Sequence, residues 1–251
     1  MKKRPFLSHS LQVRYDDKTI NAFLLESQMG CVFALLNGVA STDPLLAPER
    51  WLISTGERDS SYLYQAFDKG GPTAAALAVI RQENKKNPVL KTFSLWNGEE
   101  NHITRATISC LYNRQDGRAS SLTLNMDSKP DEFRLGPSNA TTLMTDAVHI
   151  YSPIYCSLGP EQYDAVYPDR PGVAWMIYLR SQLTIQQVPE ARALLPVVSQ
   201  NEKGKEQQIG TIVVSVTDAA FSDLNFEHVK IANAIEIRLV DQDLLPRFVD
   251  V

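Results

Sequence analysis

Histidine and cysteine are scarce in this chain, and their positions exclude several kinds of functional site. The four histidines and three cysteines lie far apart, without the His-x-x-x-His or Cys-x-x-Cys spacing that places two metal ligands together. Asp146 and His149 are one helical turn apart, a spacing that chance often produces on a protein surface. The sequence therefore predicts no metal site. It also predicts no cofactor, because the glycine-rich Gly-x-Gly-x-x-Gly phosphate-binding pattern is absent.

An excess of basic residues and long apolar runs are also missing. The formal net charge of −4 argues against a direct nucleic-acid partner, since domains that bind phosphate groups carry a basic excess. The longest apolar stretches, 31–36 and 74–80, are far shorter than the roughly 20 residues that span a bilayer. No export signal follows the basic residues at 2–4, and the scattered cysteines fit a reducing compartment. We therefore expect a soluble cytoplasmic protein with no membrane association.

The hydrophobic pattern predicts an α+β fold. Helical periodicity is found at 20–39, 74–82, 140–149 and 226–244, and a short helix is predicted at 189–195. Strand patterns are found at 89–96, 103–112, 121–126, 173–179 and 209–216. The first three strands are joined by turn-rich segments and form a β-meander, while a loop is predicted at 157–171. These elements predict mainly antiparallel sheet packed against several helices.

Two points of organisation are left open by these patterns. The simplest arrangement is one compact domain over 1–251, and a division into two lobes would fall near 127–137. The segment 226–244 has helical spacing, which we prefer, but Ile235, Ile237 and Leu239 also alternate as in a strand.

The predicted strand at 103–112 has two chemically different faces. Ala106, Ile108 and Cys110 fall on one face, and Thr107 and Ser109 fall on the other. This alternation is typical of an antiparallel sheet that is buried on one side and solvated on the other.

The segment 163–176 has the composition of a protein interaction site. It is rich in proline and carries Asp164, Tyr167, Asp169 and Arg170 ahead of an apolar strand that contains Trp175. Tyrosine, tryptophan and arginine are the residues most enriched at interaction hot spots. We predict that the first four contact a partner and that Trp175 lies in the core.

An enzymatic alternative would pair a cysteine with a histidine. Cys110 or Cys156 could act as a nucleophile with His149, since such residues need only meet in space. Neither cysteine lies in a recognised signature, and Cys110 falls on an apolar strand face, where a thiol is inert. The sequence therefore favours a protein without catalytic activity.

Three segments resemble the immunity protein 52 family. They are NAFL at 21–24, PDRPGVAWM at 168–176 and IEIRLVDQDLLP at 235–246. The resemblance implies a cytoplasmic antitoxin that neutralises a cognate nuclease effector of type VI secretion, a toxin with a restriction-endonuclease fold similar to TseT. Inhibition by covering the active site and inhibition by blocking toxin self-association both remain open. An adaptor or chaperone of the secretion apparatus is a further alternative.

Overall fold

An antiparallel sheet forms the centre of the fold. The computed structural model describes residues 6–16, 24–86, 90–113, 118–129, 133–201 and 203–251. Within these ranges nine strands form one sheet, and every pair of neighbours in it is antiparallel. The α+β class and the antiparallel sheet predicted from the sequence are confirmed. Residues 21–23, which belong to the first family-like segment, lie outside the described ranges.

The described residues contain eleven strands and five α-helices. The strands are β1 (Leu7–Tyr15), β2 (Leu52–Ile53), β3 (Phe67–Asp68), β4 (Gly71–Pro72), β5 (Leu90–Trp96), β6 (Ala106–Asn113), β7 (Ser120–Ser128), β8 (Tyr155–Pro160), β9 (Met176–Leu179), β10 (Ala193–Gln200) and β11 (Glu206–Val214). The helices are α1 (Leu25–Ala40), α2 (Arg58–Ser61), α3 (Ala74–Glu83), α4 (Pro137–Tyr151) and α5 (Phe226–Asp241). The strand order in the large sheet is β10, β11, β9, β8, β1, β7, β6, β5, β2.

The larger hydrophobic core lies between one face of the sheet and helices α1 and α4. Alternate residues of β1, Leu11, Val13 and Tyr15, are completely buried on this face. The Tyr15 hydroxyl donates to Gln28 Oε1 of α1 at 2.7 Å, so α1 covers this part of the sheet. A strand that alternates apolar and polar residues buries one face in this way.

A second core lies on the opposite face, beneath α5. Ile177 of β9 and Val213 of β11 pack there against Ile235 and Leu239 of α5. The sheet is therefore covered on both faces around β8, β9 and β11. The spacing of Ile235 and Leu239 matches a helix, which confirms the helical interpretation of this segment.

Both edges of the sheet are protected against pairing with another strand. The edge strand β2 is two residues long. The other edge strand, β10, contains Pro196 and has a register shift between Val197 and Val198. His149 Nε2 also lies 3.0 Å from the carbonyl oxygen of Val198. Short strands, proline and bulges are the devices that blunt sheet edges, so an edge is a poor place for a partner to bind.

Two local predictions are wrong. The predicted loop at 157–171 begins with residues of β8, which pairs with β1 and β9 on its two sides. Its Ser, Gly and Pro residues suggest a turn, but two neighbouring strands satisfy its backbone groups. The predicted helix at 189–195 overlaps β10, because pairing with β11 overrides the helical preference of its alanine and leucine residues.

Candidate functional site

Half of the sheet has a face that lies outside both hydrophobic cores within the described residues. At one end of this face the C-terminal residues Phe248, Val249 and Val251 line a concavity together with Arg14 and Leu111. Strands β1, β5, β6 and β7 place their core-facing side chains under α1 and α4, and their other side chains form what we call the open face. The open face consists of three rows of residues that lie opposite each other across the four strands. The rows are Trp96, Thr107, Asn125 and Ser10; Ser94, Ser109, Thr123 and Gln12; and Thr92, Leu111, Ser121 and Arg14.

The three rows of the open face are almost uncharged. Thr92, Ser94, Ser109 and Gln12 are exposed, and Arg14 is the charged member of the three rows. Serine and threonine have short side chains that lose little conformational entropy when a partner immobilises them. Threonine is also favoured on solvated strand surfaces, because a β-branched side chain fits a pleated sheet. The open face therefore combines short polar side chains with the half-buried Trp96 and Leu111.

Acidic side chains border the open face at its Trp96 end. A concavity of about 410 Å³ lies there, and its charged lining residues are Glu57, Glu99, Glu100 and Arg105. Arg50 donates to Glu99 Oε1, and the hydroxyl of Tyr62 donates to Glu100 Oε1 at 2.7 Å. These contacts hold the carboxylates in place at the rim.

The loop between β8 and β9 borders the open face on the side of β1. This loop, residues 161–175, contains the segment predicted to contact a partner. Asp164 and Asp169 are exposed and Tyr167 is half-buried, so all three are accessible, and their role in contact stays a prediction. Arg170 is only 7% exposed, and its guanidinium donates to the carbonyl oxygen of Leu245. A buried side chain offers little surface to a partner, so the prediction that Arg170 contacts a partner is wrong.

The loop is attached to α5 by the buried carboxylate of Glu236. Tyr163 donates its hydroxyl to Glu236 Oε1 at 2.7 Å, and the backbone amides of Val166 and Val173 donate to the same carboxylate at 2.8 and 2.9 Å. Burial raises the pKa of Glu236, while these hydrogen bonds act in the opposite direction. Sequence reasoning missed this residue, although a glutamate among the buried positions Ala232, Ile235 and Leu239 of α5 is a signal of a specific buried role.

Aromatic packing holds the other end of the loop against β1. Trp175 is completely buried, as predicted, and its indole nitrogen donates to the carbonyl oxygen of Val216 at 2.9 Å. His9 of β1 packs against Phe133 with ring centroids 3.7 Å apart, and its Nε2 lies 3.0 Å from the carbonyl oxygen of Phe221. The backbone beneath the loop is thus fixed by packing and hydrogen bonds.

The folded protein should lose stability as the pH falls because of His9. Burial lowers the pKa of His9 from 6.5 to about 4, despite opposing effects of the Phe221 carbonyl and Asp223. The unfolded chain therefore binds the proton more readily. The contribution of neutral His9 to the free energy of unfolding is complete above pH 6.5. It is lost as the pH falls toward 4, which lowers the free energy of unfolding by about 3 kcal/mol.

Urea unfolding from pH 7.5 to 4 on the wild type and on His9→Phe measures this effect. The difference in the free energy of unfolding between the two proteins should change between pH 6.5 and pH 4, because phenylalanine cannot titrate. Parallel pH profiles would show that His9 does not carry the dependence.

The residues of the enzymatic alternative do not form an accessible nucleophile. Cys110 and Cys156 are buried, and burial raises the pKa of both thiols well above the usual range. His149 is exposed at the β10 edge. A thiol with a raised pKa supplies little thiolate at neutral pH. Within the described residues no cluster of three or more potential ligands is arranged for a metal ion.

Comparisons with known proteins include a distant structural match. No family model matches the chain, and no curated protein matches it. A solved structure, Pseudomonas aeruginosa T6SS protein PA0821, is similar over 92% of this chain and 76% of its own, with 10% sequence identity and a TM-score of 0.44. A likeness this distant assigns neither a family nor a function. None of the helices in the described ranges combines the length and apolarity needed to cross a membrane.

Proposed function

We propose that this protein is an immunity protein that binds a cognate nuclease toxin of type VI secretion through the open face. The observation that carries the proposal is an uncovered sheet face with short uncharged side chains, bordered by acidic residues, in a sheet whose edges are both blunted. The resemblance of 168–176 and 235–246 to the immunity protein 52 family supports the same function. In the structure these two segments meet, since Glu236 binds Val173.

Charge supports a nuclease as the partner. A nuclease must attract phosphate groups, so the rim of its active site tends to be basic. The net charge of −4 is complementary to such a rim, as are Glu57 and Glu100 beside the open face, whereas Glu99 is paired with Arg50. Complementary charges accelerate association and align the two surfaces, and the uncharged centre of the face avoids burying unpaired charges.

The inhibition should be stoichiometric. The test adds purified protein to the nuclease domain encoded next to its gene and measures DNA cleavage at several Mg²⁺ concentrations. Cleavage should stop near one molecule of inhibitor for each toxin unit that it binds, whether that unit is a protomer or an oligomer. This ratio should be the same at every metal concentration. Catalytic turnover of the toxin or relief by added metal would contradict the proposal.

The same assay separates the alternatives. Alanine replacements of His149, Cys110 and Cys156 should leave inhibition intact apart from any stability loss, whereas an enzyme that uses them would lose activity. An adaptor of the secretion apparatus would bind the full-length effector but fail to bind its isolated nuclease domain. Measuring the toxin's oligomeric state in the complex distinguishes coverage of the active site from blocked self-association.

A further inference from the structure

A narrow polar crevice separates the open face from the loop between β8 and β9. It has a volume of about 90 Å³ and lies where β1 and β8 pair. Ser10 and Gln12 of β1 and Ser157 of β8 line its floor, and Glu161, Tyr163 and Gly172 of the loop line its wall. The crevice is therefore continuous with the surface proposed above to bind the toxin.

The floor of the crevice offers hydrogen-bonding groups that the protein does not use. Ser10 is 4% exposed and Ser157 is 8% exposed, yet within the described residues neither side chain, nor that of Gln12, makes a hydrogen bond. All three line the crevice. The two hydroxyl oxygens are not sealed from solvent, so water or a group that enters the crevice must satisfy them.

The shape of the crevice depends on small residues. A Cβ atom on Gly159 would lie 2.3 Å from the Cβ of Ala174, and one on Gly172 would lie 3.0 Å from Tyr163 Cε1. Ala174 itself has a φ of 44°, a conformation that is uncommon for a residue other than glycine. A larger side chain at Gly159 would force the loop away from β8, and one at Gly172 would crowd Tyr163 within the loop. Either change would alter the shape of the crevice.

The charge of the crevice points to a cation. Glu161 is an exposed carboxylate at its rim, and no lysine or arginine in the described part of the chain lines it. Two hydroxyls, an amide oxygen and a carboxylate together accept hydrogen bonds from a donor that carries a positive charge. A planar group with several N–H donors fits a narrow slot better than a round, strongly hydrated ammonium group.

We propose that the crevice binds a single arginine side chain of the partner protein. The inference rests on the proposed function for the identity of the partner, since a phosphate-binding nuclease surface is rich in such residues. Arginine is also among the residues most enriched at interaction hot spots, where it is held by acceptors in a desolvated pocket. The open face then provides the contact area, and the crevice fixes the register of the partner on it.

The test uses ethylguanidinium, an analogue of the arginine side chain, and needs no toxin. Amide chemical shifts of the ¹⁵N-labelled full chain are followed during titration at constant chloride concentration. We expect saturable changes confined to residues 10–12, 157–161 and 163–174, with a Kd on the order of 1–10 mM for so small a ligand. Ethylurea, which has the same shape without the charge, should bind at least about fivefold more weakly because it cannot make charge-assisted hydrogen bonds.

Matched variants locate the effect. Glu161→Gln should weaken ethylguanidinium binding about fivefold, because it removes the carboxylate at the rim, whereas Glu57→Gln at the far end of the open face should leave it unchanged. Changes that do not saturate, equal binding of ethylurea, or tighter binding of butylammonium would each overturn the proposal. If the crevice binds ethylguanidinium and the nuclease is not inhibited, the proposed function fails alone; inhibition without binding removes only this inference.

Discussion

Replacing Glu236 with alanine should lower the free energy of unfolding by about 3 kcal/mol at pH 7. The change removes the shared acceptor of Tyr163, Val166 and Val173 and leaves the two backbone amides without a partner beneath the loop. Each buried donor left unsatisfied costs about 1–3 kcal/mol. The gain from no longer burying a carboxylate, whose pKa burial raises, offsets part of that cost. Urea unfolding followed by circular dichroism measures the difference.

A matched variant on the same helix separates this effect from a general loss of helix α5. Glu227 lies in the first turn of α5, where it is exposed, so Glu227→Ala should cost less than about 1 kcal/mol. Hydrogen exchange should accelerate most at residues 163–173 in Glu236→Ala. A loss below about 1 kcal/mol, or equal acceleration throughout the chain, would show that Glu236 does not hold the loop.

Placing an arginine at the centre of the open face should weaken toxin binding at least about 100-fold. Ser109 is exposed in the middle row, with Ser94 and Thr123 opposite it on the neighbouring strands. In Ser109→Arg a long cationic side chain would project from the open face toward the basic surface of the bound toxin. Steric exclusion and repulsion between like charges then act together, and 100-fold corresponds to about 2.7 kcal/mol of binding free energy. Calorimetry and the cleavage assay measure the effect.

The control for this variant is the same residue type introduced on the other side of the molecule. Thr142 is exposed on α4, which packs on the opposite face of the sheet, so Thr142→Arg should inhibit the nuclease as the wild type does. Both substitutions should change the free energy of unfolding by less than about 0.5 kcal/mol, as is usual on a surface. Unchanged affinity of a folded Ser109→Arg would place the binding surface elsewhere.

Local pattern alone identified the elements with strong periodicity. The meander of β5, β6 and β7 follows from alternating residues separated by turn-rich segments, and α3 follows from the helical pattern at 74–82. These signals succeed because each depends on neighbours in the chain. The signal failed at β8 because its partner β1 is brought to it by the tertiary fold. It failed at β10 because pairing with the next strand, β11, outweighs the helical preference of alanine and leucine.

In the loop between β8 and β9, some features were predicted from the sequence and others are seen only in the structure. Its composition identified Asp164, Tyr167 and Asp169 as candidate contacts, and the structure leaves all three accessible. Composition did not reveal that Arg170 turns inward to the Leu245 carbonyl, since that acceptor lies far away in the sequence. The crevice was equally hidden, because it needs β1, β8 and the loop to come together.

The sequence by itself determined which face of each meander strand is apolar, because side chains alternate with a period of two and burial of apolar area follows that alternation. It also determined the mildly acidic charge that makes a basic partner favourable. Only the tertiary structure decided that α5 covers β8, β9 and β11 and stops short of β1, β5, β6 and β7. Where a helix comes to rest depends on contacts between distant segments, and that placement leaves the open face and its crevice available to a partner.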